Sequence, residues 1–469
     1  MRTIYFYLVA FFVVSFLGAC NPEDTNDENP TATVYEESED GSTVTVTDKG
    51  EGTGNYTFTA DKAWVLNGLV FVNDGQTLTI EAGTLVKGKP GTEENASALI
   101  VARGGKINAV GTSDSPIVFT AEADNYDGTG VDADAQGLWG GIIILGNATT
   151  NNATVDKAIE GIPTSEIRGL YGGSDDTDNS GILKYVSVRH GGTDIGEGNE
   201  INGLTLGAVG SGTTIEYIEV VANKDDGVEF FGGAPQLKYI LVVGVGDDSF
   251  DYDEGFHGKG QFWCTIQSAD GDRTGEHDGG PSDNETGTPY AIPQIYNATY
   301  IGNLEGKVIT FRDNAGGIYA NSIFANQYKG IDIEYLQDDS GVIVGCSYKM
   351  FDEGNLIVKN NVFHNIAGII EPGSGNAENL FKISVPKDDN DEPLYEAPAD
   401  FVQAWADAFD TNSNTIADAG ITAENPVPNT AQNTQLADYP ADFFETVSYK
   451  GAFGSANWAQ GWTLTFSNK

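Results

Sequence analysis

Cysteine and methionine are scarce in this chain of 469 residues, which contains three cysteines and two methionines. So few cysteines exclude a disulfide-rich scaffold, and none of them has the spacing of a structural zinc site. Cys264 and Cys346 are the two in the body of the chain, and whether they form a disulfide stays open at this point. Scarce methionine together with 60 glycines is unlike a helical bundle and indicates a turn-rich chain.

Basic residues are also few. The chain has 24 lysines and arginines against 69 aspartates and glutamates, which gives a formal net charge of -45. Nucleic acid is not an expected partner and anionic lipid headgroups are poor ones, because a surface of this charge repels them. Divalent cations are the ions that such a surface attracts.

Long apolar runs are lacking except near the start, where residues 4–17 follow Arg2. This run has the layout of a secretory signal and is too short for a stable membrane span. Residues 17–19 read Leu-Gly-Ala and lead into Cys20, which resembles the bacterial lipobox, whose cysteine is acylated. We therefore predict a signal peptide over residues 1–19 and a lipid anchor on Cys20 in the outer membrane. An ordinary signal peptide cleaved nearby is the alternative.

The segment after the cysteine is acidic and rich in small residues. Such a composition cannot bury a core, and it predicts a flexible tether over residues 20–56. The segment also resembles the acidic signal with which Bacteroidota send lipoproteins to the cell surface. The resemblance implies that the anchored protein is exposed on the cell surface.

Self-similar units recur along the middle of the chain. Residues 183–186, 215–218 and 237–240 match one another, and the last two begin 22 residues apart. The turns at 225–230 and 247–252 are also 22 residues apart. A parallel β-helix requires equal spacing in strand and turn, because each coil stacks over the last at about 4.8 Å. A propeller would need repeats of about 40 to 45 residues.

Four segments and the C-terminus resemble one family of Bacteroidota lipoproteins built on a right-handed parallel β-helix. The segments are residues 137–148, 171–176, 199–206 and 246–251, and residues 443–463 are similar to the end of the same family. The resemblance implies the fold but no activity, because none is established for that family. The predicted fold is an all-β, right-handed parallel β-helix with irregular loop insertions and a C-terminal capping region.

The predicted domains follow from these patterns. The β-helix occupies residues 57–395, and a C-terminal excursion and cap occupy residues 396–469. Apolar residues at 401, 402, 405, 408 and 409 have helical periodicity. We expect the tail with Trp458 and Trp462 to pack across the open end of the solenoid, since such ends need caps. Stacking of these tryptophans on carbohydrate is the alternative.

Aspartates repeat at the coil spacing and form a predicted ladder. Its members are Asp225, Asp226, Asp247, Asp248 and Asp270, with Asp251, Asp253 and Glu254 in the same zone. Stacked carboxylates about 5 Å apart repel by about 3 kcal/mol at an effective dielectric of about 20, so a partly buried ladder favours a cation or protonation. Hard oxygen ligands favour Ca²⁺, which is the predicted cofactor. A solvated acidic turn stack is the alternative.

Two enzyme classes are compatible with this region. Asp247 and Asp248 resemble the paired aspartates of polygalacturonases, but the Gly-His-Gly motif of those enzymes about one coil later is absent. A β-helical polysaccharide lyase would need a basic group, for which the candidates are Lys259, Arg273, His277 and Arg312. Ion pairing with neighbouring carboxylates is the alternative role of these basic residues.

The functional hypothesis is therefore a cell-surface lipoprotein whose β-helix binds a glycan or a protein partner without catalysis. Extended solenoid faces suit repeating polymers, and a fold alone assigns no reaction. A polysaccharide lyase or glycoside hydrolase remains the alternative.

Overall fold

The computed structural model describes residues 31–195, 201–281, 286–369, 380–429 and 435–467. The predicted signal peptide and Cys20 lie outside these residues. Within them, no helix combines the length and the apolar character needed to cross a membrane.

A ten-stranded parallel sheet, here called sheet B, forms one face of the molecule. Each of its strands comes from a successive coil. In order they are β5 (Leu69–Val72), β8 (Ala98–Val101), β11 (Ile142–Leu145), β15 (Leu204–Gly207), β17 (Val228–Phe231), β19 (Phe250–Asp253), β21 (Arg273–Asp278), β24 (Lys307–Arg312), β27 (Lys329–Glu334) and β30 (Phe381–Ser384).

A second, 19-stranded sheet, sheet A, wraps around the other faces. In its middle, four long strands each cross two faces: β14 (Gly181–Arg189), β16 (Thr214–Val221), β18 (Gln236–Val243) and β20 (Lys259–Ile266). On the N-terminal side the sheet splits into two branches, one with β3 (Tyr56–Phe58), β6 (Thr77–Ile80) and β9 (Lys106–Val110), the other with β2 (Thr43–Thr47), β4 (Ala63–Leu66), β7 (Leu85–Gly88) and β10 (Ile117–Ala121). On the C-terminal side the branches are β22 (Gln294–Tyr296), β25 (Gly317–Ala320) and β28 (Leu356–Lys359), and β23 (Thr299–Ile301), β26 (Ile323–Gln327), β29 (Val362–Ile366) and β31 (Thr415–Ile416).

The pairing register confirms the predicted parallel β-helix. Ile215 pairs with Leu237, and Val228 pairs with Phe250, so strand and turn both advance by the same 22 residues. Apolar side chains from each coil stack inside: the rings of Phe250 and Trp263 are 4.8 Å apart and nearly parallel. The packed interior runs the length of the stack and holds the coils together.

The corner at which the long strands bend carries residues with left-handed backbone. Tyr185, Tyr217 and Tyr239 have φ of 52°, 56° and 60°, and their rings stack at 4.4 and 4.3 Å. The column continues through Phe262, Asn297, Asn321 and Asn360, all with positive φ. We call these seven residues the corner ladder. Asparagine adopts a left-handed backbone readily, whereas tyrosine rarely does. Stacking of the three tyrosine rings therefore offsets the backbone strain at these positions.

The start of the chain departs from the predicted tether. Strand β1 (Val34–Glu37) pairs antiparallel with β2, and β2 pairs parallel with β4. Val44 and Val46 of β2 are buried, because the next coil covers them. The alternation of Thr and Val in residues 43–47 is a strand pattern inside an acidic segment. Ordered strands therefore begin before residue 57, and residues 34–47 are not flexible tether.

Helix α2 (Phe401–Thr411) confirms the predicted helical periodicity and caps the last coil. Trp405 is buried, and its ring stacks on Phe381 of β30 at 4.2 Å. The shorter helix α1 (Ser347–Asp352) packs beside β27 and β28. Two 3₁₀ turns, Glu93–Asn95 and Ile167–Gly169, and a small hairpin of β12 (Lys157–Ala158) and β13 (Leu170–Tyr171) lie in the insertions.

The C-terminal tail, residues 435–467, runs back along the side of the solenoid, and we call it the strap. It begins beside Asn360, whose Nδ2 donates to Gln435 O, and it ends beside Glu219, which accepts from Leu464 N at 2.8 Å. The expectation that the tail crosses the open end is therefore wrong, because the corner ladder offers it a longer aromatic and amide surface. Trp458 packs edge-on against Tyr239 at 5.5 Å.

The two cysteines in the body of the chain are both free and buried. Cys264 points into the cluster of apolar side chains beneath the strap. Burial raises the pKa of the Cys264 thiol, so this residue acts as a small apolar side chain.

Candidate functional site

The outer face of sheet B presents a row of polar side chains from seven of its ten coils, whereas the same row is apolar in the first three, with Phe71, Ile100 and Ile143. In this sheet Val228 and Phe230 point inward and are buried, so the alternate residue Glu229 points outward. The strand register places seven residues in line, and we call them the outer row. They are Thr205, Glu229, Asp251, Glu276, Thr310, Asp332 and Lys382.

The predicted aspartate ladder is present between two coils. Asp248 N donates to Asp226 Oδ1 at 2.9 Å, so the second aspartate of each pair lies in register with the other. Asp226 and Asp248 are buried, whereas Asp225 is partly exposed and Asp247 is exposed. Four of the five predicted ladder residues are thus brought together.

Asp270 does not belong to the ladder. The residue stacked on Asp248 is Arg273, whose N donates to Asp248 Oδ1 at 2.6 Å and whose Nη1 lies 2.8 Å from Asp248 Oδ2. This coil advances by 25 residues rather than 22, because an additional turn lies before β21. Asp270 is on that turn and is exposed. The prediction that Asp270 joins the ladder as a metal ligand is therefore wrong, because Arg273 occupies the position above Asp248.

Three carboxylates gather at the end of the ladder nearest the outer row. Asp226, Glu229 and Asp251 each place an oxygen within 4.8 Å of the other two, and we call them the carboxylate centre. Asp226 and Glu229 are each only 7% exposed. Burial, followed by the charges of neighbouring carboxylates, raises the pKa of all three groups well above the usual range. Three like charges in such a place need protons or a cation.

One oxygen of this centre and one of a neighbouring amide lack hydrogen-bond partners within the described residues. Asn202 is 1% exposed, and its Nδ2 donates to Glu229 Oε2 while its Oδ1 is buried and unpartnered within the described residues. Asp251 Oδ1 is also buried and unpartnered there. A buried acceptor that receives no hydrogen bond lowers the stability of the folded state, because it has lost its contact with water. Carboxylate and amide oxygens are the ligands that Ca²⁺ prefers, so the donor set fits a hard divalent cation.

The overlapping triads beside the centre are more exposed. Asp247 belongs to both of them, with Asp225 and Asp226 in one and with Asp248 and Asp272 in the other. Since Asp248 is already engaged by Arg273, the second triad has one carboxylate fewer to offer a cation. The carboxylate centre is therefore the better candidate for a metal site.

Beyond the acidic end, basic residues also appear on the outer face of sheet B, each beside a carboxylate. Arg273 Nη1 lies 2.6 Å from Glu276 Oε2, and Arg312 Nε lies 2.8 Å from Asp278 Oδ1. Lys307 Nζ lies 4.0 Å from Asp332 Oδ2. These basic residues line an open pocket of about 400 Å³ together with Thr310, Asp332, Glu334, Ser384, Val385 and Pro386.

Two of the predicted basic candidates lie elsewhere. His277 is buried in the interior, where its ring stacks on Tyr252 at 3.9 Å, and burial lowers its pKa to about 3. Lys259 begins β20 in sheet A, where it is in register with Gln236 and Gln294. Neither residue reaches the outer face of sheet B, because His277 occupies an inward-pointing position of β21 and Lys259 belongs to sheet A.

Two acidic residues on this face have strongly raised pKa values. Burial, and then the charge of Glu254, raises the pKa of Asp253 to about 7. Burial also raises the pKa of Glu334 to about 7. Glu229 and Glu334 were not predicted from the sequence, although Glu229 lies 22 residues before Asp251 and the coil spacing identifies it.

An insertion forms one wall beside Asp253. Glu254 is fully buried, and it accepts hydrogen bonds from Tyr171 OH and Asn152 Nδ2, both at 2.6 Å. Lys157 pairs with its other oxygen. A single buried carboxylate thus ties residues 152–171 to the edge of sheet B.

Comparisons with known proteins agree with this architecture. The family model described as "Pectate-lyase like beta helix domain" matches residues 50–463. Among solved structures, the catalytic domain of a GH87 alpha-1,3-glucanase variant in complex with tetrasaccharides is similar, at 12% sequence identity and a TM-score of 0.24. The match covers 72% of this chain and 64% of that one, and at this TM-score the likeness carries no further argument. No curated protein matches the chain.

Proposed function

The chain belongs to the family of pectate-lyase-like β-helix domains, and from this premise we propose that the outer face of sheet B binds an extracellular polysaccharide with the help of a divalent cation. The sheet has parallel strands in regular register, and seven successive coils each contribute one residue of the outer row. Such a surface suits a polymer with a repeating unit better than it suits a small compact ligand.

The observation that carries this proposal is the carboxylate centre. Asp226, Glu229 and Asp251 bring oxygens within 4.8 Å of one another, and the structure places no lysine or arginine within ion-pair distance of these three among the described residues. A bound Ca²⁺ would satisfy the three carboxylates, including the unpartnered Asp251 Oδ1, and its remaining coordination positions would accept hydroxyl or carboxylate oxygens of a glycan.

The basic residues farther along this face also support the binding of a polysaccharide. Arg273, Lys307 and Arg312 are three of only 24 basic residues in the chain, and they lie together on this face. They would donate hydrogen bonds to acidic or hydroxyl groups of the polymer beyond the cation. Without the cation, the net charge of -45 would repel an anionic polysaccharide.

Hydrolysis is the second candidate function. Asp253 and Glu334, with pKa values of about 7, would be protonated in part at neutral pH and could act as general acids towards a glycosidic oxygen. A lyase is less favoured. Neighbouring carboxylates raise the pKa of Arg273 and Arg312 despite their burial, so neither would act as a base, and His277 is enclosed in the core.

The proposed setting is the cell surface. Acylation of Cys20 would anchor the chain to the outer membrane, as in the Bacteroidota lipoproteins that the sequence resembles. The side of the solenoid that carries sheet B would then face extracellular polymers. A protein partner on the cell surface is the alternative ligand of the same face. Retention on no polysaccharide in the experiment below would favour that alternative.

The experiment is retention of the purified domain on immobilised polysaccharides, with Ca²⁺ or with a chelator. We expect retention on at least one neutral or acidic polymer that falls when the cation is removed and in Glu229→Gln. The same incubations are scored for new reducing ends, which report hydrolysis, and for unsaturated ends, which report lyase activity. Retention on no polymer, or retention that Glu229→Gln leaves unchanged, would contradict the proposal.

A further inference from the structure

A second pocket lies on another part of the molecule, where the end of the strap meets two loops. It has a volume of about 420 Å³, within the range of about 300–1,000 Å³ that is typical of small-molecule sites. Its lining includes Asp114, Tyr126, Asp127, Arg189, Trp462 and Leu464. None of these residues belongs to sheet B.

Buried carboxylates hold both walls in place. Glu219 is fully buried and accepts from Leu464 N at 2.8 Å and from Thr465 N at 3.0 Å, which fixes the strap wall. Asp124 is also fully buried, and it accepts from Thr120 Oγ1 at 2.6 Å and from Gly130 N at 3.0 Å, which fixes the loop that carries Tyr126. The pocket is therefore largely formed before any ligand arrives.

The two walls also touch each other. Gly128 has φ of 70°, and a Cβ at this position would lie 2.4 Å from Leu464 Cδ1. Only glycine lets the loop and the strap approach this closely without displacement. This contact closes one side of the pocket.

Tyr126 supplies an aromatic surface. The residue is 37% exposed although its hydroxyl donates to Pro116 O at 2.6 Å. That hydrogen bond and the one from Arg189 Nη1 to Tyr126 O, at 2.9 Å, fix the orientation of the residue. An oriented, partly exposed ring is the type of surface on which the apolar face of a sugar stacks at small entropic cost.

The polar groups of the pocket favour a neutral ligand. Asp114 and Asp127 are exposed at its rim and can accept hydrogen bonds from hydroxyls. Arg189 is only 3% exposed, and its Nε already donates to Ser187 Oγ at 2.8 Å, so it does not present a free cation to the pocket. An anionic sugar would meet two carboxylates and be repelled.

We propose that this pocket, here called the strap pocket, binds one or two units of a neutral saccharide, with Tyr126 as the stacking surface and Asp114 and Asp127 as hydrogen-bond acceptors. The inference is independent of the cation-assisted surface on sheet B, since it uses neither its residues nor a metal. Trp462 closes the back of the pocket: it is 3% exposed, and its Nε1 donates to Trp458 O at 3.0 Å.

The test is isothermal titration calorimetry of the full domain in chelator, which separates this site from the cation-assisted one. The probes are tetrasaccharides of glucose, mannose and xylose, together with a glucosamine oligomer and a galacturonate oligomer. We expect a neutral probe to bind and Tyr126→Ala to weaken it about tenfold or more. Tyr126→Phe should bind more tightly than Tyr126→Ala, because the ring and the hydrogen bond from Arg189 to the backbone remain. Tyr328→Ala is the matched control, since Tyr328 is a 62% exposed tyrosine outside the pocket.

The thermal midpoint of each variant shows that it has folded. If Tyr126→Ala does not fold, Asp127→Asn takes its place, with an expected loss of several-fold. The proposal is overturned if no neutral probe binds, if only the glucosamine or the galacturonate oligomer binds, or if Tyr126→Ala binds as tightly as Tyr328→Ala.

Discussion

Arg273 lies one coil above Asp248, with its Nη1 2.8 Å from Asp248 Oδ2 and its backbone N 2.6 Å from Asp248 Oδ1. The aspartate is 1% exposed, whereas the side chain of the arginine is 15% exposed. The pair therefore ends the acidic ladder and begins the part of the outer face of sheet B that also carries basic residues.

Removal of this guanidinium is expected to destabilise the fold. Arg273→Gln leaves the buried Asp248 beside Glu276 without its cation, and we expect a loss of about 3 kcal/mol in the free energy of unfolding, the lower end for a buried pair because the arginine side chain is 15% exposed. Thermal and denaturant unfolding measure it. The double variant Arg273→Gln, Asp248→Asn should regain much of the loss. Lys62→Gln, which removes a partly exposed pair with Glu37, should change little. Equal effects of Arg273→Gln and Lys62→Gln would contradict the account.

Glu219 is expected to hold the strap. In Glu219→Gln an amide N–H₂ can face the donors of Leu464 and Thr465, which leaves buried groups unsatisfied at about 1 to 3 kcal/mol. Hydrogen exchange at the amides of residues 464 and 465 should become faster. Glu216→Gln on the same strand is the control, because Glu216 is 32% exposed and pairs with Lys184. Unchanged exchange in Glu219→Gln would show that the strap is held by its aromatic contacts alone.

Asp253 is expected to make stability depend on pH. Its pKa is raised from 3.8 to about 7 by burial, so the folded protein binds the proton more tightly than the unfolded chain. The resulting stabilisation is complete below pH 4 and is lost as the pH rises to about 7; it amounts to at most about 4 kcal/mol. In chelator, Asp253→Asn should flatten this part of the pH profile of the unfolding free energy. The exposed Asp270→Asn should keep the wild-type slope. The same slope in all three proteins would refute the assignment.

Attachment through Cys20 is expected to depend on its thiol. Cys20→Ser should move the protein from the membrane fraction to the soluble fraction, because a hydroxyl cannot carry the acyl chains of a lipoprotein anchor. Fractionation of cells that express each form measures this. Unchanged membrane partitioning of the variant would show that Cys20 is not the anchor.

The repeat in the sequence predicted the fold because the coil is a local unit. The 22-residue spacing of residues 215–218 and 237–240 corresponds to one turn of the solenoid, and it places Asp226 and Asp248 in register. The same 22-residue spacing wrongly predicted that Asp270 stacks on Asp248. The next coil contains a longer turn, so Arg273 occupies that position instead. A repeat seen in two coils does not determine the length of a third.

Contacts between distant segments could not be predicted from the repeat. Leu464 and Glu219 are 245 residues apart in the sequence, and nothing in the local pattern of either segment indicates the other. The prediction of His277 as a basic residue of the site was wrong for a related reason. Once the longer turn shifts the register, His277 aligns with the inward-pointing Tyr252, and its side chain enters the core. Glu229 could have been found, since the spacing that pairs the aspartates also pairs Glu229 with Asp251.

The most direct test of the central claim is the thermal midpoint of the domain with Ca²⁺ and with a chelator, in wild type, Asp251→Asn and Asp270→Asn. The claim is that Asp226, Glu229 and Asp251 hold a cation on the outer face of sheet B. A ligand that binds only the folded state at about 100 times its Kd stabilises it by about 2.7 kcal/mol. We predict that calcium raises the midpoint of wild type and of Asp270→Asn, and that Asp251→Asn loses this shift while unfolding at a higher temperature than wild type in chelator. The same calcium shift in Asp251→Asn as in wild type would contradict the account.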